Sequence, residues 1–427
     1  MEKSSDSKYN PFEHRSTENT SSTFGALAHM VKSMLGAGLF AMPLAIKHCG
    51  LVLGTILALL ITFLCGHGMH LIVKVSRIMC ERTKQPMMNF EQTVLTAFET
   101  SSTEKIQKMA KWMKLFVNIA LIGCYYGICC VYIDIMASSL KQELDEYLGD
   151  LNVRWYILMC ALPLSVIGQT RALKYLIPFS TLGNVLIISV AFIVLYKIFG
   201  GELNFADRNL GPHEFISVPL FLSIVVFALE PIGVTLVIEN EMKTPADFTK
   251  TFGVINVSCV FVGLLYASLG FFGYVRFGDE VLSSVTLNLA AGSGTSITVQ
   301  VMMIICVYIS FGLNFYVATK AVWVYIDDET SPLLETIIRF WLVMACVGLA
   351  LVIPNIGSFI GLVGSLFLAS LGFIIPAVVN SVTLWPDELG KGNWVLVKDC
   401  FVAFFGVIAL VSGTFSNLAE IIEMYTK

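Results

Sequence analysis

The feature that most constrains this chain is a succession of long apolar stretches joined by short polar connections. A membrane-spanning helix needs about 20 mostly apolar residues. Eleven stretches qualify: 23–47, 50–78, 112–140, 154–170, 176–199, 215–240, 251–276, 296–326, 333–353, 356–383 and 396–424. Charge content excludes reading them as the cores of soluble domains. Only 14% of the 427 residues are charged and 56% are hydrophobic, whereas soluble domains carry about 25% charged residues. The expected fold is therefore an all-α membrane protein with eleven transmembrane helices over 23–427. Residues 1–22 are polar, mixed in charge and without a signal-peptide pattern; they read as a disordered cytoplasmic tail. Within them, Tyr9–Phe12 fits a tyrosine-based sorting pattern and Asn10-Pro11-Phe12 an endocytic adaptor pattern. The connection 79–111 has room for a short amphipathic helix, but no stretch accommodates a separate soluble domain.

Lysine and arginine set the expected orientation, because they concentrate on the cytoplasmic side of membrane proteins. With the N-terminus inside, seventeen of the 27 fall on the inner side and seven on the outer. Eleven crossings then leave the C-terminus extracellular or lumenal. A net charge of −4 offers no footprint for nucleic acid, so the lipid bilayer is the expected macroscopic partner. The eleven cysteines lie in or beside apolar runs, apart from Cys49 in a tight turn. None has metal-ligand spacing, and they read as packing thiols. Neither a metal nor a cofactor is expected. There is no P-loop and no catalytic carboxylate pair, so the chain does not read as an enzyme.

Two of the spans contain helix-breaking residues. In the first, Gly36, Gly38 and Pro43 fall within eight residues; in a helix interior glycine costs about 1 kcal/mol and proline about 3. In the sixth, Phe227-Ala228-Leu229-Glu230-Pro231-Ile232-Gly233 places a proline where it removes a backbone donor and opposes a carbonyl. Backbone freed in lipid must be satisfied, so such breaks line cavities. The two lie five spans apart, which predicts a five-plus-five inverted repeat with broken helices 1 and 6. Discontinuous helices at matching positions mark the binding site of secondary transporters. Helix N-terminal dipoles there face a carboxylate while unwound carbonyls face a cation, and an α-amino acid carries both charges.

Ionisable groups inside spans are functional by default. His29, seven residues before Gly36, is a candidate proton carrier. His67, with His70 a turn further on, is its candidate partner in the second span. Glu230, at the second break, could hold a proton, hold a substrate amine or close a gate. Asp134 also falls within a span.

Around both breaks the sequence resembles the proton-coupled amino acid transporters, within the amino acid/auxin permease group. The stretches that carry the resemblance are LAHMVKSMLGAGLFAMPLAIKHCG (27–50), FALEPIGVTLVIENEMK (227–243) and IPNIGSFIGLVGSLFLASLGFIIPAVV (353–379). YNPFEH (9–14) and FGLNFYVATKAVW (311–323) add to them. The resemblance implies symport of protons with amino acids, often small and neutral. It places proton coupling at His29 and the unwound substrate segment at Gly36, Ala37 and Gly38. Ser33, Glu230, Ile232, Gly233 and Asn314 complete the expected substrate site. Ser33, Ala37, Pro231, Asn314 and Asp134 depart from the residues usual in the family and bear on which substrate fits. A sodium-coupled or uniport carrier, and a transporter-like receptor that signals amino acid occupancy, are the alternatives. The plasma membrane is the favoured location, with an endolysosomal membrane as the alternative.

Overall fold

In this computed structural model the described residues are 9–15, 20–171, 177–212, 214–229, 231–323, 331–353 and 355–426. Helices α1 (Thr23–Met34) and α2 (Met42–Cys49) form the first span, joined by a 3-10 turn Ala37–Ala41. Next come α3 (Leu51–Thr83), the short α4 (Phe90–Glu99), α5 (Glu104–Leu148), α6 (Val153–Ile167) and α7 (Ile177–Phe199). The second half begins with α8 (Val218–Leu229) and α9 (Ile232–Asn240), followed by α10 (Val254–Phe277) and α11 (Gly294–Trp323). Helix α12 (Pro332–Val352) precedes α13 (Ile356–Val363), which continues through two π-helical turns into α14 (Ile375–Leu384). The last is α15 (Trp394–Thr426).

Among the described residues, nine helices are long and apolar enough to cross a membrane. The pair α1 and α2, bent by 49°, makes ten. The eleventh expected span corresponds to α6, fifteen residues long and carrying Pro163, which falls short of the length a bilayer requires. Helix α4 sits in the polar connection where room for a short helix was expected. Asn89 starts it with a capping box: its side chain accepts the Gln92 amide while the Gln92 side chain accepts the Asn89 amide.

Corresponding spans of the two halves pack on each other. Span three (α5) lies against span eight (α11), span two (α3) against span seven (α10), and span one (α2) against span six (α8). Each pair joins a segment to its counterpart five spans on. Close approaches between helices of the bundle need glycine. A Cβ at Gly263 of α10 would lie 2.7 Å from Thr62 of α3, and one at Gly127 of α5 would lie 2.6 Å from Val363. By contrast α15 runs along the outside. Its buried residues Asp399, Val402, Gly406, Ala409 and Gly413 recur every three or four positions, a single stripe on an otherwise apolar, exposed helix.

Part of the stretch expected to be a disordered tail is folded against the bundle. Pro11–His14 form a 3-10 turn capped by Asn10, with Pro11 buried. The physical reason is charge: Glu239 is buried at the end of α9 and needs cations. Arg15 Nη2 reaches its Oε2 at 3.0 Å and Arg77 Nε its Oε1 at 3.1 Å. Both guanidinium groups also lie over the Phe12 ring, at 5.0 and 5.4 Å. Backbone bonds between Ser21 and the Glu241–Lys243 segment continue the attachment into α1.

Candidate substrate site

Ser22 caps α1 by accepting the Gly25 amide at 3.1 Å, and the helix runs to Met34. The backbone then becomes extended at Leu35 and Gly36 (Gly36 φ −134°, ψ −175°) before tightening into the Ala37–Ala41 turn. This frees polar backbone groups inside the membrane. Tyr266 of α10, itself 1% exposed, takes up two of them. Its hydroxyl donates to the Met34 carbonyl at 2.7 Å and accepts the Gly36 amide at 3.3 Å.

The second break separates α8 from α9. Glu230 lies outside the described residues. Pro231 precedes α9 with φ −96° and ψ 21°, and its carbonyl accepts the Val234 amide and the Thr235 hydroxyl. The two breaks meet. A Cβ at Gly38 would sit 2.8 Å from Ala228 Cα, and one at Gly233 would sit 2.7 Å from the Tyr125 hydroxyl oxygen. At Gly36 nothing lies within 4 Å of where a Cβ would be, so that position borders open space.

The open space is a cavity of about 280 Å³ between the two breaks. Seven expected substrate residues line it: Ser33, Gly36, Ala37 and Gly38 from the first break, Ile232 and Gly233 from the second, and Asn314 of α11. The carbonyl end of α1 and the amide end of α9 both arrive at this cavity, so opposite dipole ends border one space. Sequence reasoning missed Tyr125 and Tyr132 of α5, Asn184 of α7, Ser310 of α11 and Lys32, which also line it. A signal existed in the spacing. Tyr125 and Tyr132 are seven residues apart, and Ser310 and Asn314 four, each pair on one helical face. Asn314 Nδ2 indeed donates to the Ser310 carbonyl at 2.9 Å.

The histidines lie elsewhere. His29 is exposed on α1 and is not among the lining residues, and its carbonyl accepts the Ser33 hydroxyl at 2.8 Å. The spacing to Gly36 presupposed a continuous helix, and the helix ends at Met34. His67 does not line the cavity, and its Nε2 is buried and without a hydrogen-bond partner. His70 Nε2 pairs with Asn256 Oδ1 at 2.9 Å. Asp134 is 2% exposed, does not line the cavity, and neither carboxyl oxygen has a partner. All eleven cysteines are free thiols, and ten are buried.

A family model described as "Transmembrane amino acid transporter protein" matches residues 19–418. The chain is 33% identical to the "proton-coupled amino acid transporter-like protein pathetic" of Drosophila melanogaster, over 98% of this chain and 89% of that one. It is 24% identical to the "probable amino acid transporter skat-1" of Caenorhabditis elegans, over 94% and 90%. Among solved structures it shares the fold of the inward-facing conformation of Mhp1, with a TM-score of 0.59 at 10% identity, covering 97% of this chain and 92% of that one.

Proposed function

As the chain belongs to the transmembrane amino acid transporter family, we propose that it moves small neutral amino acids across its membrane by alternating access, in symport with protons. The observation that carries this reading is the meeting of two broken helices around one cavity of about 280 Å³. Ligand pockets usually span about 300–1,000 Å³, so this one suits a small substrate. The carboxylate faces the amide end of α9, and the ammonium group faces the carbonyl end of α1 and the hydroxyls around it. His29, on the exposed flank of α1, is the residue to which the family resemblance assigns proton coupling. Lysine and arginine asymmetry supports a cytoplasmic N-terminus, and the plasma membrane is the favoured location. The relatives and the family are transporters, not enzymes.

The driving force is adequate. One pH unit supplies about 1.4 kcal/mol and 100 mV about 2.3 kcal/mol per charge. Radiolabelled glycine and alanine uptake into proteoliposomes, with and without an inward pH gradient, tests the proposal. Gradient-driven accumulation is expected, unaffected by replacing sodium. Accumulation that follows sodium points to the sodium-coupled carrier, and binding without flux to a receptor. His29→Ala is expected to lose pH-driven uptake.

A further inference from the structure

Another cavity, of about 240 Å³, shares no lining residue with the substrate cavity. It is bounded by α2, α8, α13, α15 and the loop 281–283. Leu44 of α2, which lines it, is six residues past Gly38, and Ile224 of α8 is four residues before Ala228. Gly38 and Ala228 are where the two broken helices cross. At about 1.5–2 Å per residue, the cavity stands about 6–10 Å from that crossing along both half-helices. Lys47 lies in the last turn of α2, and Glu420 is six residues before the end of α15. The cavity is therefore on the side of the crossing where α15 ends, opposite the side from which α1 enters.

Its lining combines both signs of charge. Lys47 supplies an ammonium group and Glu420 a carboxylate, with the side chains of His48, Asn355 and Asn417 around the same space. The protein uses only part of each charged group. Lys47 Nζ donates to the Asp279 carbonyl at 2.6 Å, and an ammonium group carries three donors. Glu420 Oε2 accepts from Ser358 Oγ at 3.0 Å, and a carboxylate offers about four acceptor positions. Among the described residues no salt bridge joins Lys47 to Glu420. Opposite charges that line one space without meeting leave a gap that a ligand carrying both charges can span. The two cancel, which favours a zwitterion over a lone anion or cation. Leu44, Leu220 and Ile224 make part of the lining apolar, which suits a small aliphatic side chain. The volume, about 240 Å³ against about 280 Å³ for the substrate cavity, fits the same class of molecule.

We propose that this cavity is a second amino acid site, where a small zwitterionic amino acid pauses between the membrane face at the end of α15 and the substrate cavity. Lys47 takes the carboxylate, Glu420 takes the ammonium group, and the amides of Asn355 and Asn417 supply further hydrogen bonds. The inference rests on the reading of the chain as an amino acid carrier.

The test uses the full chain with a C-terminal tag and labelled alanine as the probe. Equilibrium binding to the purified carrier counts alanines per chain. Proteoliposomes sorted by whether the tag faces outward give the half-saturating alanine concentration from each membrane face in exchange. Two alanines per unaltered chain are expected. Glu420→Gln is expected to raise the ratio of half-saturation at the C-terminal face to that at the other face by about tenfold, the worth of one charge-assisted hydrogen bond. A merely structural role would move both faces together and leave that ratio in place. Lys47→Gln, on another helix, is expected to shift the ratio the same way and carries the test if Glu420→Gln does not fold. One alanine per unaltered chain, or unaltered ratios in the folded variants, overturns the second site while leaving the carrier reading intact. No alanine bound and none exchanged by the unaltered protein overturns both.

Discussion

The Tyr266 hydroxyl lies 2.7 Å from the Met34 carbonyl and 3.3 Å from the Gly36 amide, joining the two sides of the break in the first span. One side chain on α10 thus completes the hydrogen bonding of a helix interrupted in the membrane. Tyr266→Phe keeps the ring and its packing but strands both backbone groups. An unpaired buried group costs about 1–3 kcal/mol, so the variant is expected to unfold at lower temperature in detergent and to transport more slowly. An unchanged melting temperature together with unchanged uptake would show that the break needs no bridge.

The glycines of the first break have opposite tasks. Gly38 permits the crossing with Ala228, where a Cβ would come within 2.8 Å of backbone. Gly38→Val is therefore expected to separate the broken helices and abolish uptake of every amino acid. Gly36 borders the cavity with no atom within 4 Å and has an extended backbone that any residue adopts. Gly36→Ala should fold normally and only narrow the space. Its KM is expected to rise more for larger amino acids than for glycine, as a competition panel against labelled glycine would measure. A uniform loss across the panel would contradict this assignment.

Glu239 is expected to hold the N-terminal segment in place. Its side chain is 1% exposed between Arg15 and Arg77. Removing one partner of a buried ion pair leaves an uncompensated charge, at a cost of about 3–5 kcal/mol. Glu239→Gln should thus destabilise the protein strongly in a thermal melt. Arg15→Ala should cost less, because Arg77 remains on the carboxylate. The same variant should expose the 9–15 segment to added protease.

Asp247 gives a prediction about acid. Hydrogen bonds from Lys250 first, then from Thr244 and Thr23, hold its carboxyl below the usual carboxylate range. A folded-state value below the unfolded one adds stability above pH about 4, and that stability is lost as pH falls through the depressed value. Thr23 begins α1, so the link anchors the start of the broken span. Asp247→Asn is expected to flatten the acid side of a plot of melting temperature against pH, with little change near pH 7. An acid limb as steep as that of the unaltered protein would rule the contribution out.

Much of this fold could be read from the sequence because lipid imposes a severe rule. Apolar runs of sufficient length must become helices, and the breaks at Gly36 and Pro231 must be satisfied by something around a cavity. The cavity-lining residues at both breaks followed from that rule and from the family resemblance. The position of His29 relative to the cavity did not. The distance from His29 to Gly36 assumed a helix that ends between them, and Glu230 lies outside the described residues.

What the sequence determined by itself was the membrane-spanning class, the two breaks and their matched positions, since these depend on local composition and backbone chemistry. Tertiary structure alone decided which side chains meet. Tyr266 is more than 200 residues from the carbonyl it bonds, and Arg15 is as far from Glu239. Such partners share no local pattern, because packing several helices around one another brings together positions that linear spacing cannot relate. The scarcity of charge that first excluded a soluble protein fixed which groups would matter. Packing fixed that Glu239 would meet Arg15 and Arg77.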